Sequence, residues 1–318
     1  MRRVSLTLVF AASLVAIAIA CGEDLPVEEP HDAGADADVD VLEAAVTDDA
    51  AADVVDASVS CRDRPWSAPA QFPVPAALAG KVRTFTRVSS NKAYVGSYPE
   101  HRLYEYATNE DGTPVDQNQA PTAVGIMGSP YLTHASVYGA NLSMVAEVAG
   151  PSIVITTRDA EASPWKPVTT VDVFVYDSES SPFGAEKLGL LLVTKGSGDY
   201  RDIYTVARID AGGVDGLAAP VVDSVLSVAN AADDSAIVTP DGLLVFFMSN
   251  RAPPDRRADV YTATRPSPNV PFQGVTRVAE LSSIAAEDHP TWISEDGCTI
   301  FIAQVVNGLT STLFRATR

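Results

Sequence analysis

The sequence has little of what most catalytic or metal-binding sites need. Its 318 residues include only three cysteines and four histidines, and none of them stand at the spacing of a metal-binding motif. No nucleophile elbow, zinc-protease motif or phosphate-binding glycine loop occurs. We therefore expect no cofactor, no transition-metal site and no catalytic residue.

Positive charge is also scarce, with 22 Lys and Arg against 41 Asp and Glu and a formal net charge of −19. Residues 22–60 alone carry thirteen acidic residues and nine alanines, with no Lys, Arg or aromatic residue. Such a segment cannot bury enough apolar surface to offset the entropy of ordering, so we interpret residues 21–60 as a disordered acidic tether. The first 20 residues contribute +2 and the tether −13, which leaves −8 on residues 61–318. A domain of this charge has no evident basic face, so we expect no nucleic-acid binding.

The N-terminus has the pattern of a secretory signal. Arg2 and Arg3 form a positive start, residues 4–20 are apolar or small, and Cys21 follows. These 17 residues are few for a membrane-spanning helix, which needs about 20, so an uncleaved anchor is the weaker interpretation.

A cysteine directly after small residues resembles the lipobox of bacterial lipoproteins, although Ala18 stands where that family more often has leucine. The resemblance implies a signal peptide over residues 1–20 and a lipid on Cys21. It also implies that the protein is held in the cell envelope, at the outer membrane or on the periplasmic face of a membrane. An ordinary cleaved signal, with Cys21 free or removed, is the alternative.

Five short runs of similar sequence recur at intervals of 50 to 57 residues. Their second residue is always aliphatic and their third is aromatic or branched. The runs are RLYEYAT from 102, SIVITTR from 152, DIYTVAR from 202, DVYTATR from 259 and TLFRATR from 312. The last two copies align over a longer stretch at an offset of 55, which pairs Asp233 with Asp288 and Gly242 with Gly297. Repetition at this period is typical of repeat folds such as propellers.

Each copy has the features of four antiparallel strands. The tetrapeptides TPDG and SEDG are typical of tight turns, and the runs that follow them, LLVFFM and TIFIA, are apolar on both sides, as in strands buried between sheets. DVYTATR and the weaker VTRVAEL supply two further strands in the fourth copy. A propeller arranges four-stranded sheets around a central axis, which leaves only short and protected edge strands. The repeated unit therefore indicates a propeller.

The arrangement TPDG…FFMSNR…DVYTATR is similar to the TolB-type propeller repeat, most clearly over residues 220–318. The resemblance implies an all-β propeller of four-stranded antiparallel blades over residues 61–318. Five copies predict five blades, and six remain open if residues 109–140 or 163–190 contain another.

The last copy ends after its third strand. The run APAQFPVPAAL, residues 68–78, has the composition of an outer strand, so we expect it to complete the last blade and close the ring. Cys61 and Cys298 would then fall near the two ends of the ring. A disulfide between them would contribute about 4 to 5 kcal/mol in the loop-entropy model; the alternative is two buried thiols too far apart to bond.

The candidate site residues stand at the entry to inner strands. Asp233, Asp234, Asp288 and His289 could face the central mouth of the ring, where five-bladed glycoside hydrolases place two or three converging carboxylates. The aspartates shared by both copies favour a repeated loop-capping role instead, because a catalytic residue should be unique to one copy.

Two functions follow from these patterns. The first is a monomeric, lipid-anchored envelope propeller that binds a protein or peptidoglycan through the loops of one face, without catalysis. The alternative is a carbohydrate-active propeller, either a glycoside hydrolase or a lectin, that uses the central mouth. A deep pocket with three inward carboxylates from different blades would favour the second.

Overall fold

The computed structural model describes residues 60–89, 91–98, 100, 102–124, 135–138, 144–149, 152–157, 166–172, 183–185, 190–197, 200–206, 221–252, 257–308 and 310–318. Cys21, the predicted signal peptide and nearly all of the predicted tether lie outside these residues. The described residues form 20 β-strands and a few short 3₁₀ turns. Within them, no helix is long and apolar enough to span a bilayer.

The strands follow one another along the chain with short connections. The first ten are β1 (Ala70–Gln71), β2 (Val82–Ser89), β3 (Lys92–Ser97), β4 (Arg102–Ala107), β5 (Thr122–Ala123), β6 (Ala135–Tyr138), β7 (Met144–Ala149), β8 (Ser152–Thr157), β9 (Lys166–Asp172) and β10 (Phe183–Ala185). The others are β11 (Leu190–Ser197), β12 (Tyr200–Val206), β13 (Val221–Val222), β14 (Asp233–Val238), β15 (Leu244–Ser249), β16 (Asp259–Thr264), β17 (Gln273–Arg277), β18 (Glu287–Ile293), β19 (Thr299–Val306) and β20 (Thr310–Thr317).

These strands pair into five four-stranded antiparallel sheets, which we number as blades 1 to 5. Blades 1 to 4 are β2–β5, β6–β9, β10–β13 and β14–β17, and blade 5 has the order β18, β19, β20, β1. The third strand of every blade is one of the five recurrent sequence runs. The prediction of an all-β propeller is confirmed, and the described strands form five sheets and no sixth.

The ring is closed through its innermost strands. β2 contacts β6, β6 contacts β10, β10 contacts β14, β14 contacts β18, and β18 returns to β2. The predicted closing strand is also confirmed, because β1 pairs with β20 through Ala70 opposite Arg315 and Gln71 opposite Phe314. Every blade therefore has four strands. The C-terminal part of the chain supplies three strands of blade 5, and the N-terminal segment supplies the fourth, which covers an otherwise unpaired edge.

Aromatic packing and a disulfide hold this closing segment in place. The ring of Phe72 lies 4.8 Å from that of Phe301 on β19, and Trp66 meets Phe246 of blade 4 edge-on at 5.7 Å. Cys61 and Cys298 are bonded across 237 residues of sequence, with their Cα atoms 5.7 Å apart. The two ends of the ring are thus joined covalently.

The turns before the second strands of blades 4 and 5 have the predicted chemistry. Gly242 and Gly297 adopt φ of 70° and 75°, a conformation that glycine takes without steric cost. In the first turn, a carboxylate oxygen of Asp241 accepts the N–H of Leu243 at 3.0 Å. In the second, Asp296 accepts the N–H of Cys298 at 2.9 Å.

Inner strands and third strands start at the same end of the ring, which we call the mouth end. A parallel bridge joins Lys81, just before β2, to Ser311 at the start of β20. Another joins Arg201 at the start of β12 to Ala232, just before β14. The loops that enter the inner strands and the hairpins before the third strands therefore share one face.

Candidate functional site

The starts of β14 and β18 bring the sequence candidates together at the mouth end. Asp233 and Asp234 are the first two residues of β14, and Asp288 and His289 are the second and third of β18. The two strands are neighbours in the ring. The structure thus gathers all four residues, but it gives them different environments.

Asp233 and Asp288, which the repeat places at equivalent positions, both face the loop that precedes their strand. Each is 0% exposed. One oxygen of Asp233 accepts the N–H of Val228 at 2.8 Å, and one oxygen of Asp288 accepts the N–H of Ser283 at 2.5 Å. Each carboxylate therefore satisfies a backbone donor of the loop before its own strand.

The second oxygens of these two aspartates have different partners. Asp233 forms an ion pair with Arg251 at 2.8 Å, whereas Asp288 accepts the side-chain amide of Gln304 at 2.9 Å. Burial, only partly offset by its hydrogen bonds, raises the pKa of Asp288 to about 6. The same fold position thus holds a paired carboxylate in blade 4 and one that is easily protonated in blade 5.

Asp234 joins blades 3 and 4 from a fully buried position. One of its oxygens accepts the hydroxyl of Thr194 at 2.7 Å and the backbone N–H of Ser235 at 2.5 Å. The other lies 3.1 Å from the guanidinium of Arg201. All of these partners are internal, so Asp234 is not available to a substrate.

His289 lies at the centre of a contact that spans blades 4 and 5. Its Nδ1 is 3.0 Å from the hydroxyl of Ser235, and its Nε2 is 3.6 Å from a carboxylate oxygen of Glu287. The side chain of His289 is 12% exposed and that of Glu287 is 53% exposed. This group therefore reaches from the buried start of β14 to solvent at the mouth.

Positive charge from two other blades surrounds Glu287. Its contact with His289 lowers the pKa of the Glu287 carboxyl against the opposing effect of burial, and Arg201 and Arg83 lower it further. Arg83, on β2, donates a hydrogen bond to the carbonyl of Gly308 at 2.5 Å. Glu287 is thus held in its ionised form beside the histidine.

Ser235, Glu287, Arg201 and Arg83 belong to no motif of the sequence. A usable indication was present in the alignment of the last two copies, because His289 replaces Asp234 and Pro290 replaces Ser235 at the offset of 55. The preceding aspartates, Asp233 and Asp288, match, so these two positions are among those at which the copies differ.

Exposed apolar side chains surround the mouth on three successive blades. Tyr200 is 68% exposed in the second hairpin of blade 3, and Val306 is 44% exposed in that of blade 5. Val228 and Ile284, in the loops that enter blades 4 and 5, are 42% and 86% exposed. We call these four residues the apolar rim.

A group of metal-ligand side chains occurs elsewhere, at the closing disulfide. Ligand atoms of Cys61, Asp296 and Cys298 lie within 4.8 Å of one another. The disulfide engages both sulfurs, and a thiol must be free and deprotonated to bind metal. This group therefore has a structural role.

Comparisons with known proteins support the fold. No protein-family model matches the chain, and no curated protein matches it. Among solved structures, an endo-arabinase from Bacteroides thetaiotaomicron aligns at 14% identity with a TM-score of 0.51, over 78% of this chain and 98% of its own. TolB from Acinetobacter baumannii aligns at 17% identity with a TM-score of 0.40, over 72% of this chain and 50% of its own. The chain thus spans half the length of that TolB.

The likeness to the endo-arabinase shows a shared fold alone, because the identity is only 14%. The strand topology identifies that fold independently as a propeller. The chain is therefore an all-β propeller whose solved structural neighbours include TolB.

Proposed function

We propose that the protein is a lipid-anchored binding module of the bacterial cell envelope, which recognises a protein or peptidoglycan through the loops at the mouth end of its propeller. The apolar rim is the observation that carries this proposal. Its four members belong to separate loops at one end of the ring, where a bound partner could cover all of them together and form the apolar patch that interaction sites have. The acidic segment after Cys21 would extend the propeller away from the membrane.

The composition of the rim favours a protein partner over a glycan. Val228, Ile284 and Val306 are aliphatic, and sugar hydroxyls placed against them would lose hydrogen bonds to water without replacement. Tyr200 adds a large side chain with a polar tip, a residue type enriched at protein interfaces. Peptidoglycan nevertheless belongs in the same test, because a peptide stem would also suit an apolar rim.

The buried aspartates weigh against a glycoside hydrolase. Retaining and inverting hydrolases need two carboxyl groups on either side of the scissile bond. Internal donors and cations already occupy the carboxylate oxygens of Asp233, Asp234 and Asp288, so none of them is free to act on a sugar. A lectin that uses the same face is tested by the glycan arm of the experiment below.

The test uses the intact lipoprotein as bait in crosslinked envelopes and in pelleting with purified peptidoglycan. A rim variant, Tyr200→Ser with Ile284→Ser, should lose the captured partner or the pelleting. Its matched control is Val221→Ser with Val222→Ser, since these valines are 65% and 42% exposed on the outer strand of blade 3. Equal capture by both variants would contradict the proposal.

A further inference from the structure

We infer that the mouth holds a catalytic site for acyl transfer, in which Ser235 is the nucleophile, His289 the general base and Glu287 a positioning residue for the histidine. This goes beyond the binding function proposed above, because it assigns chemistry to side chains outside the apolar rim. It also replaces the expectation from the sequence that no residue is catalytic. Backbone conformation, geometry and the comparison of repeats each support it.

Ser235 has an unusual backbone for its place in the fold. Its φ is 52° and it is 3% exposed. The other described non-glycine residues with positive φ are Asn230 and Asn307, which lie in turns, where asparagine tolerates this conformation. Ser235 instead lies inside β14, at a break in the register between Asp234 and Ile237. Strained backbone at a buried polar residue is characteristic of functional sites.

The fold does not demand this conformation. The equivalent residue in blade 5 is Pro290, whose ring fixes φ near −65°. β18 still forms and has its own register shift, between Pro290 and Trp292. The positive φ of Ser235 is therefore specific to blade 4, as is expected of a residue with a unique role.

The three side chains have the order that an activated serine requires. Oγ of Ser235 lies 3.0 Å from Nδ1 of His289, and Nε2 of the same ring lies 3.6 Å from a carboxylate oxygen of Glu287. The proposed role requires the tautomer in which Nδ1 accepts from the serine hydroxyl and Nε2 carries the proton. The two ring nitrogens are chemically equivalent for this purpose, since one must accept the serine proton and the other must face a carboxylate. Nε2 is buried and has no hydrogen-bond partner among the described residues. Catalytic hydrogen bonds are often this long before a substrate binds.

Asp234 holds the serine backbone in position. It accepts the N–H of Ser235 at 2.5 Å and is fixed by Thr194 at 2.7 Å and Arg201 at 3.1 Å. Blade 3 thus anchors the strained residue that blade 4 presents to the histidine of blade 5. Contacts from three blades therefore hold the serine and the histidine in place, as preorganisation requires.

The reaction that these groups support is ester hydrolysis. Oγ of Ser235 attacks the carbonyl carbon while its proton passes to Nδ1 of His289; the ester C–O bond then breaks, and the leaving alcohol takes that proton. Water next attacks the acyl-serine, transfers a proton to His289, and displaces Oγ, which regains the proton as the carboxylic acid departs. One ester and one water give one acid and one alcohol, and nothing is oxidised or reduced.

Limited exposure indicates the substrate class. Ser235 is 3% exposed and the side chain of His289 is 12% exposed. Because both side chains are nearly buried, we expect a short acyl group such as acetyl to reach Oγ more readily than a long one. The site therefore fits short-chain acyl esters, with acetyl esters preferred.

The test treats the full-length protein with two probes whose reacting groups carry only methyl substituents, dimethyl fluorophosphate and p-nitrophenyl acetate. We expect one phosphoryl adduct, mapped to Ser235 by peptide mass spectrometry, and hydrolysis of the acetate at least about 10-fold faster than of the octanoate. Ser235→Gly should keep the fold, because glycine accepts positive φ, and should lose both adduct and hydrolysis. His289→Gln, whose amide can still bond Ser235, should slow both by about 100-fold or more.

Two further variants separate chemistry from structure. Ser311 is buried without a hydrogen-bond partner among the described residues and lines a cavity of about 320 Å³ at the closing segment, so Ser311→Ala should behave as the wild type. Glu287→Gln should lower the labelling rate and shift its pH profile, because it removes the charge beside the base.

The inference is overturned if the folded wild type carries no adduct on Ser235, or if hydrolysis survives in Ser235→Gly. Either result leaves the binding function untouched, since that proposal depends on Tyr200 and Ile284. Loss of partner capture in the rim variant, in turn, does not alter labelling of Ser235.

Discussion

Blades 4 and 5 are two copies of one unit, but the side chain that pairs with the buried aspartate is charged in blade 4 and neutral in blade 5. In both, a buried aspartate caps the loop that enters the inner strand. Blade 4 neutralises Asp233 with Arg251 at 2.8 Å, but the residue 55 positions later is Val306. Blade 5 therefore supplies only the neutral amide of Gln304 to Asp288. The repeat preserves the backbone contact, whereas the compensation of charge differs between copies.

The two blades also differ in how they are completed. Blade 4 consists of four consecutive strands, whereas blade 5 takes its outer strand from the N-terminal segment. The disulfide between Cys61 and Cys298 spans 237 residues at this point. Blade 5 thus depends on a covalent bond in a way that blade 4 does not.

The largest expected effect comes from removing that bond. Cys61→Ser with Cys298→Ser should lower the free energy of unfolding by about 4 to 5 kcal/mol, because the unfolded chain regains the entropy of a very long loop. Amide exchange should rise in β1 and β20 before it rises in β14 to β16. Urea unfolding and hydrogen exchange measure both, and adding a reductant to the wild type should reproduce the variant. Equal exchange in both blades would show that closure does not depend on the disulfide.

The next effect tests charge compensation in blade 4. Arg251→Val copies the residue found in blade 5 and leaves Asp233, which is 0% exposed, without its cation. We expect a loss of about 3 kcal/mol in the free energy of unfolding at pH 7. Adding Ser249→Gln, which copies Gln304, should recover part of it. A loss below about 0.5 kcal/mol, the range of ordinary surface changes, would mean that Arg251 does not stabilise the buried charge.

A third effect concerns pH and blade 5. Burial raises the pKa of Asp288 to about 6, so the folded protein binds a proton more tightly than the unfolded chain does. The stabilisation by this proton is present at low pH and is lost as the pH rises through 6. Asp288→Asn should match the wild type near pH 4 and exceed its free energy of unfolding by about 3 kcal/mol near pH 8.

The control for this prediction is the equivalent change in blade 4. Asp233→Asn removes half of an ion pair and should destabilise the protein at pH 8, opposite in sign to Asp288→Asn. Urea unfolding from pH 4 to pH 8 distinguishes them. The same sign in both variants would contradict the difference drawn between the blades.

The sequence was sufficient for the fold because the fold follows from repetition. Offsets near 50 residues gave the third strand of every blade, and the composition of residues 68–78 identified the closing strand. The alignment also paired Asp233 with Asp288. This pair was predictable because both aspartates bind the preceding loop from the same position in their strands.

The site was less predictable, because it depends on departures from the repeat. The ion pair of Arg251 and the weaker partner Gln304 lie on strands whose register only the structure defines. The contact of Ser235 with His289 depends on a φ of 52° at a register shift, which has no marker in a single sequence. The Asp-to-His and Ser-to-Pro changes between copies were visible, but without coordinates they could not be joined into one site.

The smallest expected effect concerns the arginines that end the third strands. Arg265 and Arg318 donate from Nε to the carbonyls of Gly242 and Gly297, and burial lowers the pKa of both guanidinium groups. Each also covers an aromatic ring of the outer edge, at 4.3 Å in blade 4 and 4.5 Å in blade 5. The two guanidinium groups are therefore engaged in contacts at the blade edge and are not directed outward toward an acidic partner.

Alanine at either position should therefore cost about 1 kcal/mol, the sum of a weak cation–π contact and one hydrogen bond. The two losses should agree within about 0.5 kcal/mol if the repeat fixes this contact as firmly as it fixes the loop caps. The ring covered by Arg318 belongs to Trp66, which precedes the closing strand, so only Arg318→Ala should also raise amide exchange in β1. If Arg265→Ala raised amide exchange in β1 as much as Arg318→Ala does, the arginine of blade 5 would have no special role in holding β1. The proposed difference between blades 4 and 5 would then be wrong.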